Sequence, residues 1–203
     1  MACNRGVAAY LGVRVMRISR GKVMPLSIFT IGHSTRPIGE FLEMLQAHGV
    51  RRLVDVRTIP RSAHNPQFNR EDLSRALHGR RLHYRHMPGL GGLRHPRRDS
   101  INAGWRNSSF RGYADYMQTS EFAENLETLI ELGKQEPTAA MCAEAVPWRC
   151  HRSLIADALL VRGISVVEIV SATRATPLSL HPWARVEGTA VTYPGEQQSL
   201  ALS

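Results

Sequence analysis

With 203 residues, 43% of them hydrophobic, the chain is large and apolar enough to bury its own core, so a disordered polypeptide is excluded and one domain is the default. A net charge of +9 favours an anionic partner, either a small molecule or nucleic acid; yet only Lys22 and Lys134 of the 26 basic residues are lysine, an arginine bias that a GC-rich genome also produces. No apolar run reaches the roughly 18 residues of a membrane span, no convincing secretory core stands at the N-terminus, and three cysteines do not make a disulfide framework, so the chain reads as cytoplasmic.

Residues 1–25 show no period and read as an appendage, with Met24 an alternative start. Ser27 to Ile31 is apolar and β-branched and predicts a first strand; Gly32-His33-Ser34-Thr35 is a turn that can cap the next helix. Ile38, Phe41, Leu42 and Leu45 recur at helical spacing up to the stop at Gly49. Arg51 to Val56 predicts strand two, Asn69 to His78 a second helix, and Leu82 to Met87 strand three. Residues 88–112 then form a long loop rich in glycine and arginine, expected to arch over the strand ends and bring Arg94 or Arg106 to a cleft. One long helix is expected over 112–135, strand four over Thr138–Cys142, a helix from Cys150 to Arg162, and strand five over Ser165–Val170. The main domain is read as 26–180 and residues 181–203 as a tail.

Strands alternating with helices imply a mostly parallel five-stranded sheet with helices on both faces, a single-domain, Rossmann-like three-layer α/β sandwich. The expected strand order, 3-2-1-4-5, puts the topological switch between strands one and four. Gly32-His33-Ser34 then lies beside Cys142-Ala143-Glu144, with Asp55-Val56-Arg57 next to them.

The motifs Thr30-Ile-Gly-His-Ser34, Leu53-Val-Asp-Val-Arg57 with Pro60 and Ser62, Tyr84 before Leu90-Gly-Gly92, Tyr113-Ala-Asp-Tyr-Met117, and Met141-Cys-Ala-Glu144 followed by Cys150-His-Arg152 occur in order over about residues 28–170. This set resembles the DUF488 family, a domain of unknown function. The resemblance implies a fold and a set of candidate positions, among them Tyr84, Gly91, Gly92 and Tyr113, but no reaction.

Cys150 is the leading candidate nucleophile. A helix N-terminus with Arg149, His151 and Arg152 beside it lowers a thiol pKa, to about 3.5–7.5 in known cases. The alternative is a small packed cysteine. Cys142 ends an apolar strand and is read first as core. Glu144 either caps the following helix or serves as a general base or a clamp for a substrate hydroxyl. His33 is a candidate proton shuttle and Ser34 an anion contact, or both are turn chemistry. Asp55 and Arg57 share one side of a strand end and read first as an organising ion pair, Asp55–Arg57 or Asp55–Arg152, and second as catalytic and substrate-contacting groups. Gly91-Gly92 with Arg94 either folds over a phosphate or is a solvated basic loop. Arg57, Arg61, Arg94 and Arg152 are expected to form one connected positive patch.

A phosphatase-like or rhodanese-like cradle after Cys142 fails, because Trp148 stands six residues on, where an arginine is needed. Cys142, Cys150, His151 and His33 have no recognised zinc spacing, so no metal site is expected, and no cofactor is implied. The functional expectation is an enzyme acting on a phosphate-bearing or nucleoside-like substrate at the carboxyl edge of the sheet. Its alternative is a non-catalytic nucleic-acid or nucleotide-binding module on the same edge.

Overall fold

Apolar β-branched strands and amphipathic helices alternate through residues 26–195, the part of the chain that the computed structural model describes. The expected appendage, the Met24 start and the end of the expected tail lie outside the described residues. In order, the elements are β1 (Ser27–Gly32), α1 (Ile38–Ala47), β2 (Arg52–Asp55), α2 (Arg70–Gly79), β3 (His83–His86), α3 (Ser108–Tyr116), α4 (Ser120–Gln135), β4 (Thr138–Cys142), α5 (Arg152–Leu160), β5 (Ser165–Ser171), β6 (Arg174–Pro177), β7 (Arg185–Glu187) and β8 (Ala190–Thr192). Short 3-10 turns precede α2, follow β3 and precede α5.

The sheet is mixed and six-stranded, in the order β3-β2-β4-β1-β5-β6, with the first five strands parallel and β6 antiparallel on the edge. The expected order is corrected in one respect: β4 lies between β2 and β1. Thr138-Ala-Ala-Met-Cys142 is buried along its whole length and small on both faces, which suits it to the middle of the sheet between two helix layers.

Alternation along the strands divides the core in two. Ile31, Leu53, Ala139 and Met141 face Phe41, Leu45, Leu73 and Leu77 of α1 and α2. Ile28, Val54, Ala140 and Val166 face Leu126, Leu129, Leu154 and Leu159 of α4 and α5. The result is a three-layer α/β sandwich. Because β1 leads into a helix on one face and β4 into a helix on the other, a crevice opens outside their carboxyl ends, the place where open α/β sheets bind ligands.

Two other expectations change. The single helix over 112–135 is two helices, broken at Met117–Thr119, where the Thr119 hydroxyl accepts the Phe122 N–H as a new cap. Residues 181–195 belong to the folded body: β7 and β8 form a hairpin, Val191 and Tyr193 are buried, and the Tyr193 hydroxyl donates to Asp157 at 2.6 Å. Among the described residues no helix is long and apolar enough to cross a membrane.

Candidate functional site

The crevice is built on a close backbone crossing. The His33 and Ser34 amides donate to the carbonyls of Cys142 and Ala143 at 3.0 and 2.9 Å, continuing the ladder past the strand ends. A Cβ on Gly32 would stand 1.7 Å from the Glu144 carbonyl oxygen, so only glycine lets the two chains pass here. Ser34, next in line, adopts a left-handed φ of 51°. Both segments after β1 and β4 are thereby held against each other.

On the α5 side of the sheet, alternation aims Thr30, Cys142 and Glu168 at one spot. Arg152, at the start of α5, lies fully buried among them. Its guanidinium donates from one terminal nitrogen to Cys142 Sγ at 2.9 Å and to the Glu144 carbonyl at 3.2 Å, and from the other to Glu168 Oε1 at 2.9 Å. Thr30 donates to the second Glu168 oxygen. Arg152 Nε has no partner among the described residues. Burial pushes the Glu168 carboxyl up, against the pull of Arg152 and Thr30.

Cys150 sits just before α5 with extended backbone, not inside the helix, and its Sγ lies 2.7 Å from Cys142 Sγ. The two thiols then diverge. Burial pushes Cys142 up, but the Cys150 S–H, the Arg152 guanidinium and a backbone hydrogen bond at Glu144 outweigh it, so this thiol lies below its ordinary value. Its hydrogen bond to Cys142, together with burial, pushes Cys150 well above its ordinary value. Of the two, Cys142 is the more readily ionised thiol, whereas the sequence pointed to Cys150: proximity to a helix start counts for less than the directed contacts from Cys150 and Arg152.

His151 completes this side. Its Nε2 faces the Val56 carbonyl at 3.3 Å, and a carbonyl can only accept, so Nε2 carries the proton. Nδ1 is then a lone pair 3.4 Å from Cys150 Sγ. Burial and nearby arginines lower its pKa to about 4, so the ring is neutral at physiological pH. Gly92 lies against this nitrogen, and a Cβ there would come within 2.7 Å of Nδ1.

On the opposite, α1–α2 side, Asp55 is fully buried and gripped by Arg57 through Nε to Oδ1 at 2.8 Å and a terminal nitrogen to Oδ2 at 2.5 Å. The Tyr84 hydroxyl adds a bond to Oδ2 at 2.9 Å, and burial together with Asp55 raises its pKa. Arg57 also donates to the Phe68 carbonyl and to His33 Nε2. His33 stacks on Phe68 with ring centroids 4.2 Å apart and donates from Nδ1 to the Ser34 carbonyl. Burial lowers its pKa to about 4, so near pH 7 the ring is neutral, with its one proton on Nδ1.

Over both clusters lies a cleft of about 880 Å³, large enough for a nucleotide-sized ligand. Cys142, Cys150, His33 and His151 line its floor; Arg57, Arg61, Arg94, Arg149 and Glu144 line its walls, with Ile59, Leu93 and Phe110 as apolar surface. The loop after β3 lines it through Gly92–Pro96, and the first turn of α3 through Ser108–Phe110. Asp115 of α3 anchors that loop by accepting from the Arg97 amide, Ser100 and Asn102. Arg94 is tied to the carbonyls of Gly89 and Gly91 and stacks 3.5 Å over the Tyr116 ring.

A family model, domain of unknown function DUF488, matches residues 37–159. This chain belongs to the DUF488 family. No curated protein and no solved structure matches it. The matched DUF488 span contains both cysteines, Asp55 and Arg152, while Thr30, His33 and Glu168 lie outside it.

Of the residues singled out in this DUF488 chain, Cys150, His151, Glu144, His33, Arg57, Arg61, Gly92 and Arg94 meet at the cleft. Cys142 and Arg149 line it too, whereas Asp55, Tyr84, Arg152, Ser34, Gly91 and Tyr113 do not. Asp55 and Tyr84 sit beneath Arg57, Arg152 lies behind the cysteines, and Ser34 and Gly91 shape the turns. Tyr113 is wholly buried, with its hydroxyl on the Leu90 carbonyl at 2.9 Å and its ring against His151. The expected patch of Arg57, Arg61, Arg94 and Arg152 is not one of free charges, since Arg57 and Arg152 are each buried and paired with a carboxylate; of Arg94 and Arg106, it is Arg94 that lines the cleft. Arg61 and Arg149 are exposed and have no ion pair among the described residues. No group of three or more metal-ligating side chains occurs among the described residues. Sequence reasoning read Cys142 first as core and missed its contact with Arg152, which follows it by ten residues where a cradle motif has six. It also missed Glu168, whose signal was a carboxylate inside the apolar run Val166–Val170.

Proposed function

We propose that this protein is a cysteine-dependent enzyme acting on an anionic small molecule, phosphate-bearing or nucleoside-like, with the Cys142 thiolate as nucleophile. The observation that carries this reading is the Arg152 guanidinium held 2.9 Å from Cys142 Sγ on the floor of the cleft. A thiolate attacks where a thiol does not. Buried Arg152 supplies the counter-charge, and buried Glu168 aims it.

In this reading Arg61 and Arg149 receive the anion, since their guanidinium groups are exposed at the wall and unpaired among the described residues. Phe110, Ile59 and Leu93 offer apolar surface to a base or other ring. The Glu144 carboxylate, exposed at the rim, is placed to accept from a sugar hydroxyl. Neutral His151 exchanges the proton of the thiol pair. The reading of the edge as a nucleic-acid-binding module has less support, because Arg57, Arg152 and Arg97 are each paired to a carboxylate and Arg94 is tied down over Tyr116.

The test is iodoacetamide labelling at pH 7 followed by peptide mass mapping, with and without inorganic phosphate or adenosine monophosphate. Cys142 is expected to label ahead of Cys150, and the anions to slow it. Labelling of Cys150 first, or no protection by either anion, would overturn the reading. A loss of nucleic-acid affinity that followed salt with a slope of about 0.9 per neutralised phosphate would favour the binding module.

A further inference from the structure

The reading above needs only one sulfur. The second is unexplained by it: Cys150 Sγ stands 2.7 Å from Cys142 Sγ, and His151 Nδ1 presents a lone pair to Cys150 from its other side at 3.4 Å. A nucleophile at phosphorus or carbon can use the second group as a hydrogen-bond donor, but does not need that donor to be a sulfur within bond-forming reach. A nucleophile that attacks sulfur does, because the second thiol can release the product.

We propose that Cys142 and Cys150 work as an attacking and a resolving thiol, and that the substrate of this cleft is an anionic disulfide. The proposal rests on the reading of the cleft as a thiolate site for anions and names the chemistry of its substrate. In the first step Cys142 Sγ attacks one sulfur of the substrate R–S–S–R′. A Cys142–S–S–R bond forms, the substrate S–S bond breaks, and R′S⁻ leaves. In the second step His151 Nδ1 takes the Cys150 proton and Cys150 Sγ attacks Cys142 Sγ. The Cys142–Cys150 disulfide forms and R–S⁻ leaves, taking that proton as the free thiol. Two electrons pass from the protein dithiol to the substrate, which ends as two thiols. An external dithiol reductant returns the protein to its starting state by the reverse exchange.

The assignment of the two roles follows from the neighbours. Arg152 donates its guanidinium to Cys142, whereas Cys150 faces a neutral base, His151, whose Nε2 proton is fixed on Val56. Gly92 permits the imidazole to sit there, since a Cβ would press on Nδ1. Both sulfurs line the cleft, so the mixed disulfide has room for its R group. An alternative role for Cys150, a hydrogen-bond donor that steadies the Cys142 thiolate, is met equally by a serine hydroxyl, and this separates the two.

The experiment uses the full chain, oxidised glutathione as the anionic disulfide and 2-hydroxyethyl disulfide as the neutral one, with alkylation and peptide mass mapping. In the unaltered protein, oxidised glutathione is expected to yield the Cys142–Cys150 disulfide with no glutathione retained. Cys150→Ser is expected to trap glutathione on Cys142, and Cys142→Ser to take none on Cys150. The neutral disulfide should react about tenfold or more slowly, one unit in log rate for the loss of the arginine contacts. Absence of the internal disulfide in the unaltered protein, or release of glutathione by Cys150→Ser as completely as by the parent, would overturn the dithiol assignment. If phosphate or adenosine monophosphate still protects Cys142 from iodoacetamide in that case, the anion-site reading stands and only the dithiol step is lost.

Discussion

Two buried arginine–carboxylate pairs flank the crevice, one on each face of the sheet, and they are not equivalent. Arg57 meets Asp55 side on, and its remaining contacts go to Phe68 and His33. That cluster is closed: its partners are charges, carbonyls and a neutral ring, and it braces the end of β2. Arg152 meets Glu168 with one terminal nitrogen and a sulfur with the other. This pair is open toward chemistry. Burying any ion pair carries a desolvation penalty that the pairing at best offsets. On the α1–α2 face the result is position; on the α5 face it is an electrostatic setting for a thiol.

The largest expected effect comes from breaking each pair in turn. Arg152→Met should lose roughly 3–5 kcal/mol, because Glu168 is left buried without its counter-charge, and should raise the pH midpoint of Cys142 alkylation. Asp55→Asn should lose a comparable or smaller stability, about 2–4 kcal/mol, and leave that midpoint unchanged. Urea unfolding and iodoacetamide rates against pH measure both. An equal midpoint shift in the two variants would mean that the clusters form one electrostatic unit, and the contrast drawn between them would fail.

Each cluster also holds a buried neutral histidine, His33 beside Arg57 and His151 beside the thiols, both with pKa lowered from 6.5 to about 4. The unfolded chain therefore binds more protons than the folded one between those values. Stability is fully present above about pH 6.5 and falls as the pH drops toward 4, by roughly 3 kcal/mol for each ring. His33→Gln and His151→Gln should each flatten part of that slope in urea unfolding at pH 4–7. A slope unchanged in both variants would place the acid sensitivity elsewhere.

The smallest effect sharpens the comparison. Tyr84→Phe removes one hydrogen bond to Asp55, while Arg57 still holds the carboxylate. A loss of about 1 kcal/mol is expected, with no change in the protection of Cys142 by adenosine monophosphate. A change in that protection would move Tyr84 from the brace to the ligand site.

The strands and most helices were legible because their signals are local. Phe41, Leu42 and Leu45 recur at helical spacing and are buried; so are Leu154, Ile155, Ala158 and Leu159. The meeting of Gly32–Ser34 with Cys142–Glu144 was legible too, since consecutive strand ends on a parallel sheet share one edge. The antiparallel β6 and the β7–β8 hairpin were not, because their residues are half-exposed and short of apolar period. Nor was the choice between thiols. Sequence proximity favours Cys150, with arginines on both sides of it, but Arg149 projects to solvent and Arg152 turns inward to Cys142.

What the chain determines by itself is the alternation of strands and helices, the family it resembles, and the gathering of cysteines, histidine and arginines on one edge, all of which depend on period and order along the backbone. Only the tertiary structure decides that β4 enters the sheet between β2 and β1, that Tyr113 is core, and that Cys142 rather than Cys150 is the thiol whose pKa is lowered. A pKa is set by burial and by which guanidinium lies within 3 Å, and those are distances through space: Arg152 and Glu168 stand 10 and 26 residues from Cys142 and meet it only because β4, β5 and α5 fold together.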